Sequence, residues 1–130
     1  MIVIDASALT LALLDDGPLG DRARESLTDD AHWVAPAHLI TEVMSVIRGH
    51  LLGSTLSLDR AEDAISVLGA LTISLSDCQA LLGRVWQLRH NLTSYDAAYV
   101  ALAESLDAVL VTADSRLASA TGVTCRTKVV

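Results

Sequence analysis

Apolar residues along this chain fall into short uninterrupted blocks separated by longer stripes at helical spacing. Met1-Ile2-Val3-Ile4 is a short, continuously apolar, β-branched run of the kind found in a strand covered on both faces. Val109-Leu110-Val111-Thr112 is a second such run, and Trp33-Val34-Ala35 and Thr72-Ile73-Ser74-Leu75 are weaker strand candidates. Helical patterns fill the intervals. A short helix is predicted from Ala6 to about Leu14, and Asp15-Asp16-Gly17-Pro18 reads as a turn before a helix over Arg22 to Leu27. Pro36 is expected to open a long helix reaching about Leu52, with Leu39, Ile40, Val43, Met44, Ile47 and Leu51 as its apolar stripe. Gly53-Ser54 ends it, and Ser57 or Asp59 caps a further helix to about Leu68, with Ala61, Ala64, Ile65 and Leu68 inward.

Farther on, Ser76-Asp77-Cys78-Gln79 matches a capping box. The helix predicted after it carries Leu81, Leu82, Val85, Trp86 and Leu88 and ends near His90-Asn91. Thr93 or Ser94 starts the next, in which Tyr95, Tyr99, Leu102 and Leu106 recur at helical spacing. A short helix from Ser115 to about Ala120 and an edge strand near Thr124 to Val129 close the chain. Strands alternating with helices predict a three-layer α/β/α fold with a mostly parallel central sheet of four to five strands. A chain of 130 residues suffices for one compact domain, taken as 1–130.

Within this pattern four acids stand out, because each lies in an otherwise apolar element. Asp5 and Asp114 follow the two clearest strands, and Glu42 sits at the edge of the long helix's stripe. Asp96 has Tyr99, Val100 and Ala103 three, four and seven residues on, so it lies over an inward helix face. By contrast Asp15, Asp16, Asp21, Glu25, Asp29, Asp30, Glu62 and Asp63 fall in polar turns or on solvated faces. Each of the four has a bland alternative: Asp5 and Asp114 as N-caps, Glu42 as a stripe-edge residue reaching water, and Asp96 as the return arm of a Thr93-x-x-Asp96 capping box.

Composition narrows the chemistry. The formal charge is −7 and Lys128 is the single lysine, which argues against generic nucleic-acid binding. Cys78 and Cys125 have neither a disulfide framework nor zinc spacing and are expected as buried thiols, and His32, His38, His50 and His90 form no metal-ligand motif. No apolar run approaches the ~18 residues of a membrane span, and the N-terminus lacks signal-peptide features, so a cytoplasmic setting is expected.

In parallel α/β sheets ligands bind at the carboxyl ends of the strands, where Asp5 and Asp114 are placed. If the four acids converge, their repulsion calls for a counter-charge, and all-oxygen donors suit Mg²⁺ or Mn²⁺. Such ions serve phosphoryl chemistry by activating water and neutralising phosphate charge. Ser7 and Thr112 are hydroxyls at the same strand ends, suited to hold a water or support the acids. Arg48, Arg84, Arg89 and Arg116 fall on elements that could border the site, and Arg116 is the best placed for a phosphate contact.

Four segments together resemble the PIN-domain ribonucleases, and more closely the VapC toxins of bacterial toxin–antitoxin pairs. They are Met1-Ile2-Val3-Ile4-Asp5-Ala6-Ser7; Ala35-Pro36 with Glu42-Val43; Ser94-Tyr95-Asp96-Ala97-Ala98-Tyr99-Val100-Ala101-Leu102-Ala103; and Val111-Thr112-Ala113-Asp114-Ser115-Arg116-Leu117. The resemblance spans essentially the whole chain and implies a PIN-like fold and an Mg²⁺- or Mn²⁺-dependent endoribonuclease that hydrolyses RNA with a metal-activated water. It implies that Asp5, Glu42, Asp96 and Asp114 are the catalytic, metal-holding acids and that Thr112 fills the polar position before the last of them. It also implies a homodimer and a cognate VapB-type antitoxin. The competing readings are a phosphatase-like α/β domain, disfavoured because Asp5 is followed by Ala6 and Ser7, and a non-catalytic module whose acids are only caps.

Overall fold

The computed structural model describes all 130 residues. Five strands form one sheet: β1 (Ile2–Ile4), β2 (Trp33–Pro36), β3 (Ile73–Ser76), β4 (Val109–Thr112) and β5 (Thr127–Val129). Their spatial order is β3-β2-β1-β4-β5 and every pairing is parallel. β1 is central, and its three residues are buried, as its β-branched composition predicts for a strand covered on both faces. Seven helices connect the strands: α1 (Ala6–Leu14), α2 (Pro18–Leu27), α3 (Leu39–Leu52), α4 (Leu58–Ala70), α5 (Leu82–Gln87), α6 (Ser94–Leu106) and α7 (Ser115–Ala118).

The strand order fixes where helices go. From β1 the chain steps outward to β2 and β3, then crosses back to β4 and β5 on the other side of β1. Right-handed crossovers put helices made on the outward journey on one face and those made on the return on the other. Accordingly α1 packs with α2, α3 and α4, while α6 lies over β1, β2 and β4 with α5 beside it. The reversal falls between β1 and β4, so their carboxyl ends flank the crevice where such sheets bind ligands.

Several expectations are corrected. Pro36 does not open α3; it is the last residue of β2, paired in register with Ser76, and α3 begins at Leu39. A proline's fixed φ also suits a strand end, so the residue alone could not decide. Pro18 opens α2 four residues earlier than the Arg22 start, because proline is favoured in the first turn. Ser76 caps nothing: Asp77 takes the Gln79 amide at 2.9 Å and starts a short 3-10 turn, leaving α5 only six residues. Leu82 and Trp86 on α5 are therefore exposed, not inward. Met44, Ile65, Tyr95 and Leu106 are also exposed, α7 stops at Ala118, and β5 starts only at Thr127. Both cysteines are free but only half-buried. No helix is long and apolar enough to cross a membrane.

Candidate active site

Asp5 directly follows β1, and its extended backbone makes it the N-cap of α1. Its Oδ1 accepts from Ala8 N at 2.9 Å and from Ser7 Oγ at 2.7 Å, and its Oδ2 accepts from Thr112 Oγ1 at 2.5 Å. Ser7 and Thr112 each commit their one proton to Asp5, so the 3.2 Å approach of the two hydroxyls is proximity alone. As acceptors they organise the neighbouring strand end: Ala113 N donates to Ser7 Oγ and Asp114 N to Thr112 Oγ1, both at 2.9 Å. One hydroxyl of β4 thus ties the acid after β1 to the acid after β4.

Asp114 in turn caps α7, accepting from Arg116 N at 2.9 Å and Leu117 N at 3.4 Å. The Arg116 guanidinium folds back onto it at 3.3 and 3.4 Å while remaining 91% exposed. Desolvation acts to raise this carboxyl, but Arg116 and the cap amides outweigh it and hold Asp114 below the usual carboxylate range. The cap reading of Asp5 and Asp114 is therefore correct, and it is compatible with a second use. A cap bond occupies part of a carboxylate and fixes the direction of the rest.

Asp96 differs. Thr93 Oγ1 accepts from Asp96 N at 3.2 Å, the forward half of a capping box. The return bond from Thr93 N is not made, so the Asp96 carboxylate is left facing the same crevice as the others. Glu42, one turn into α3, is the most strained of the four electrostatically. Burial, then the charges of Asp96 and Asp5, push it up to about 7. Asp5 is also raised, by burial first and by Asp96 least, against the pull of its three hydrogen bonds.

All four acids line one cleft of about 600 Å³, with Ser7, Thr10 and Tyr99 beside them. Four buried side-chain polar atoms in the chain lack an aligned hydrogen bond: Thr10 Oγ1, His38 Nε2, Glu42 Oε1 and Tyr99 Oη. Three of these belong to residues of the cleft, and His38 Nε2 lies 3.0 Å from Glu42 Oε1 without being aligned on it. Its ring is wedged edge-on between Tyr95 and Tyr99, with centroids 5.4 and 5.2 Å away, and burial holds it below the ordinary histidine range. Tyr99, raised by burial and by Glu42, Asp5 and Asp96, stays a neutral phenol. His38, Glu42 and Tyr99 stand against one another as one polar cluster, with the Tyr99 phenol facing the Glu42 carboxylate.

The donor set is all oxygen and strongly anionic, which fits a hard divalent cation. As the side chains stand, no three of the chain's histidine, cysteine and acidic groups form a ready-made ion cage. The arginines turn out differently from expectation. None lines the cleft. Arg84 is locked to Glu104 at 2.6 Å and to Gly122 O, and Arg89 lies over Trp86. Sequence reasoning passed over His38 and Tyr99. The four-residue step from His38 to Glu42 was a usable signal, hidden by the misplaced start of α3.

Comparison with known proteins bears on the family and the fold. Residues 2–123 match the PIN domain family. Ribonuclease VapC1 of Mycobacterium tuberculosis is 39% identical, over 98% of this chain and 96% of that protein. Ribonuclease VapC9 of the same organism is 37% identical over 100% and 98% respectively. Among solved structures, the sarcin-ricin-loop-cleaving toxin VapC20 of M. tuberculosis superposes with a TM-score of 0.69 at 14% identity, covering 95% of this chain and 97% of that one. A Pyrobaculum aerophilum protein gives 0.64 at 22%, covering 95% and 89%. At those identities the structural matches speak to the fold.

Proposed function

The chain belongs to the PIN-domain family, among the VapC-type ribonucleases, and on that footing we propose that it is a divalent-metal-dependent endoribonuclease acting as the toxin of a toxin–antitoxin pair. The observation that carries this reading is the convergence of Asp5, Glu42, Asp96 and Asp114 on one cleft.

Asp5, Asp96, Asp114 and Glu42 are the residues that would hold Mg²⁺ or Mn²⁺. When bound, such an ion supplies charge neutralisation at the phosphate and an activated water for hydrolysis. The chain's own contribution is placement. Ser7 and Thr112 hold the Asp5 carboxylate in one orientation, and the Thr112 hydroxyl also fixes the backbone from which Asp114 projects. Residues that orient ligating carboxylates in this way commonly matter nearly as much as the ligands. Tyr99 lines the cleft beside Glu42, with the His38 ring packed edge-on against it. Arg116, exposed at the rim beside Asp114, can swing to a phosphate oxygen of a bound strand.

With a net charge of −7, the surface offers RNA little general attraction. Affinity in this reading comes from the cation-loaded cleft and from a few local contacts. The same proposal takes residues 1–130 as one domain working in the cytoplasm as a homodimer, restrained by a VapB-type antitoxin. Exposed Leu52, Leu58, Leu82 and Trp86 are in keeping with surfaces covered by other chains.

Sequencing of RNA ends after expressing wild type and Asp5→Ala in cells tests the reading. New ends at defined positions in the wild-type sample alone support it. Identical ends in both samples refute it.

A further inference from the structure

The cleft is longer than its acidic end. Beyond Glu42 it continues as an arm between α1 and α3, lined by Leu11, Leu14, Asp15, Val46 and Leu56 together with His50 and Thr55. His50 lies eight residues after Glu42 on α3, a rise of about 12 Å. We propose that this arm is a nucleobase subsite: it receives a base beside the scissile phosphate and reads its edge with His50. The inference rests on the ribonuclease reading and deepens it, naming the part of the site that selects sequence.

The chemistry around His50 supports this. Gly53 closes α3 and Ser54 takes a left-handed conformation, with φ of 59°, which brings Thr55 back over the last turn. Thr55 N donates to His50 O at 3.0 Å, and Thr55 Oγ1 contacts both His50 O at 3.1 Å and His50 Nδ1 at 2.8 Å. These contacts anchor Nδ1 and leave Nε2 of the His50 ring without a partner in the chain, a donor or an acceptor according to the tautomer.

Apolar walls with a few placed polar groups, here Asp15, His50 and Thr55, are the usual construction of a site that binds a flat heterocycle and discriminates its edge. RNA bases carry donors and acceptors at different positions on their edges, so one held ring nitrogen prefers some bases over others. An RNA base is taken as the occupant because the arm is continuous with the acids that would face the scissile phosphate. A strand whose phosphate sits at Asp5, Glu42, Asp96 and Asp114 carries a base next to that phosphate, on the side where the arm begins.

The test is digestion, in Mn²⁺, of an RNA pool with a randomised segment, followed by mapping of every cut. Wild type, His50→Ala and Thr55→Val are compared, with Asp96→Asn as the blank. The expected result is a base preference at one position flanking the wild-type cut. In His50→Ala the ratio of preferred to other bases at that position falls by about three- to tenfold, the scale of one hydrogen bond. In Thr55→Val it falls less, and preferences at other positions stay. A wild type indifferent to the flanking bases, or variants that cut more slowly with an unaltered base profile, would overturn the subsite and assign the arm to another occupant such as a protein segment. Wild-type digestion no greater than the blank would instead remove the ribonuclease reading itself.

Discussion

Thr112 and Asp5, 107 residues apart in sequence, are joined by a 2.5 Å hydrogen bond in which the threonine hydroxyl donates to Oδ2 of a carboxylate only 5% exposed. The same hydroxyl accepts from Asp114 N, so it sets both strand-end acids at once. Thr112→Val keeps the shape and removes the donor. It is expected to lower RNA cleavage by about 10- to 100-fold, the range for groups that orient ligating carboxylates. Thr112→Ser should retain most activity. Cleavage rates on a defined RNA, with circular dichroism to confirm folding, check this, and a fully active Thr112→Val would show that the bond is dispensable.

In chelator, the four acids repel one another without relief. Glu42 is pushed up by burial first and then by the charges of Asp96 and Asp5. Glu42→Gln should therefore stabilise the metal-free protein at pH 8, by about 1–2 kcal/mol, visible as a higher melting temperature in EDTA. Added Mn²⁺ should narrow the difference, because it stabilises wild type more. A variant that melts lower than wild type in EDTA would mean that Glu42 supports the fold.

A separate pH response comes from outside the cleft. Arg84, then Thr124, holds the Glu104 carboxyl down at about 2, against an ordinary 4.5. A depressed carboxyl contributes stability that is complete above the unfolded value and is lost as pH falls through the folded one. The Arg84–Glu104 contribution should thus be full above pH 4.5 and vanish toward pH 2. Glu104 is mostly buried and Arg84 partly exposed, so about 2 kcal/mol is expected after screening. Denaturant titrations of wild type and Arg84→Ala across pH 2–7 should converge at the acid end and diverge above pH 4.5. Parallel curves throughout would remove this account.

Arg116→Ala removes an exposed guanidinium whose pairing with Asp114 contributes little to stability. Cleavage should drop several-fold while the thermal shift produced by Mn²⁺ persists. Unchanged cleavage kinetics would show that this arginine makes no contact with RNA.

Much of this was legible in the sequence, and the reasons differ from element to element. β1 and β4 are short continuous apolar runs, and only a strand covered on both faces suits them, so the ends carrying Asp5 and Asp114 could be placed directly. Asp96 was legible because a carboxylate on the face shared with Tyr99 and Val100 contradicts its surroundings. Pro36 and Ser76 misled for a common cause: each residue type suits a helix start and a strand end equally well, and pairing between β2 and β3 decided for the strand. α5 misled because a periodic apolar stripe does not say whether anything packs on it, and Leu82 and Trp86 stand exposed. The His38–Glu42–Tyr99 group and the His50–Thr55 lock depend on side-chain orientation and on one left-handed turn, which no spacing encodes.

The central claim is that the four acids act together through a divalent ion on RNA. Cleavage of a short defined RNA by purified wild type and Asp96→Asn, each in EDTA and after adding Mg²⁺ or Mn²⁺, tests it most directly. The account predicts cutting by wild type only with added metal, and none by Asp96→Asn, which should fold normally and melt no lower than wild type in EDTA. Metal-independent cutting, or an Asp96→Asn protein that cuts as fast as wild type, would contradict it.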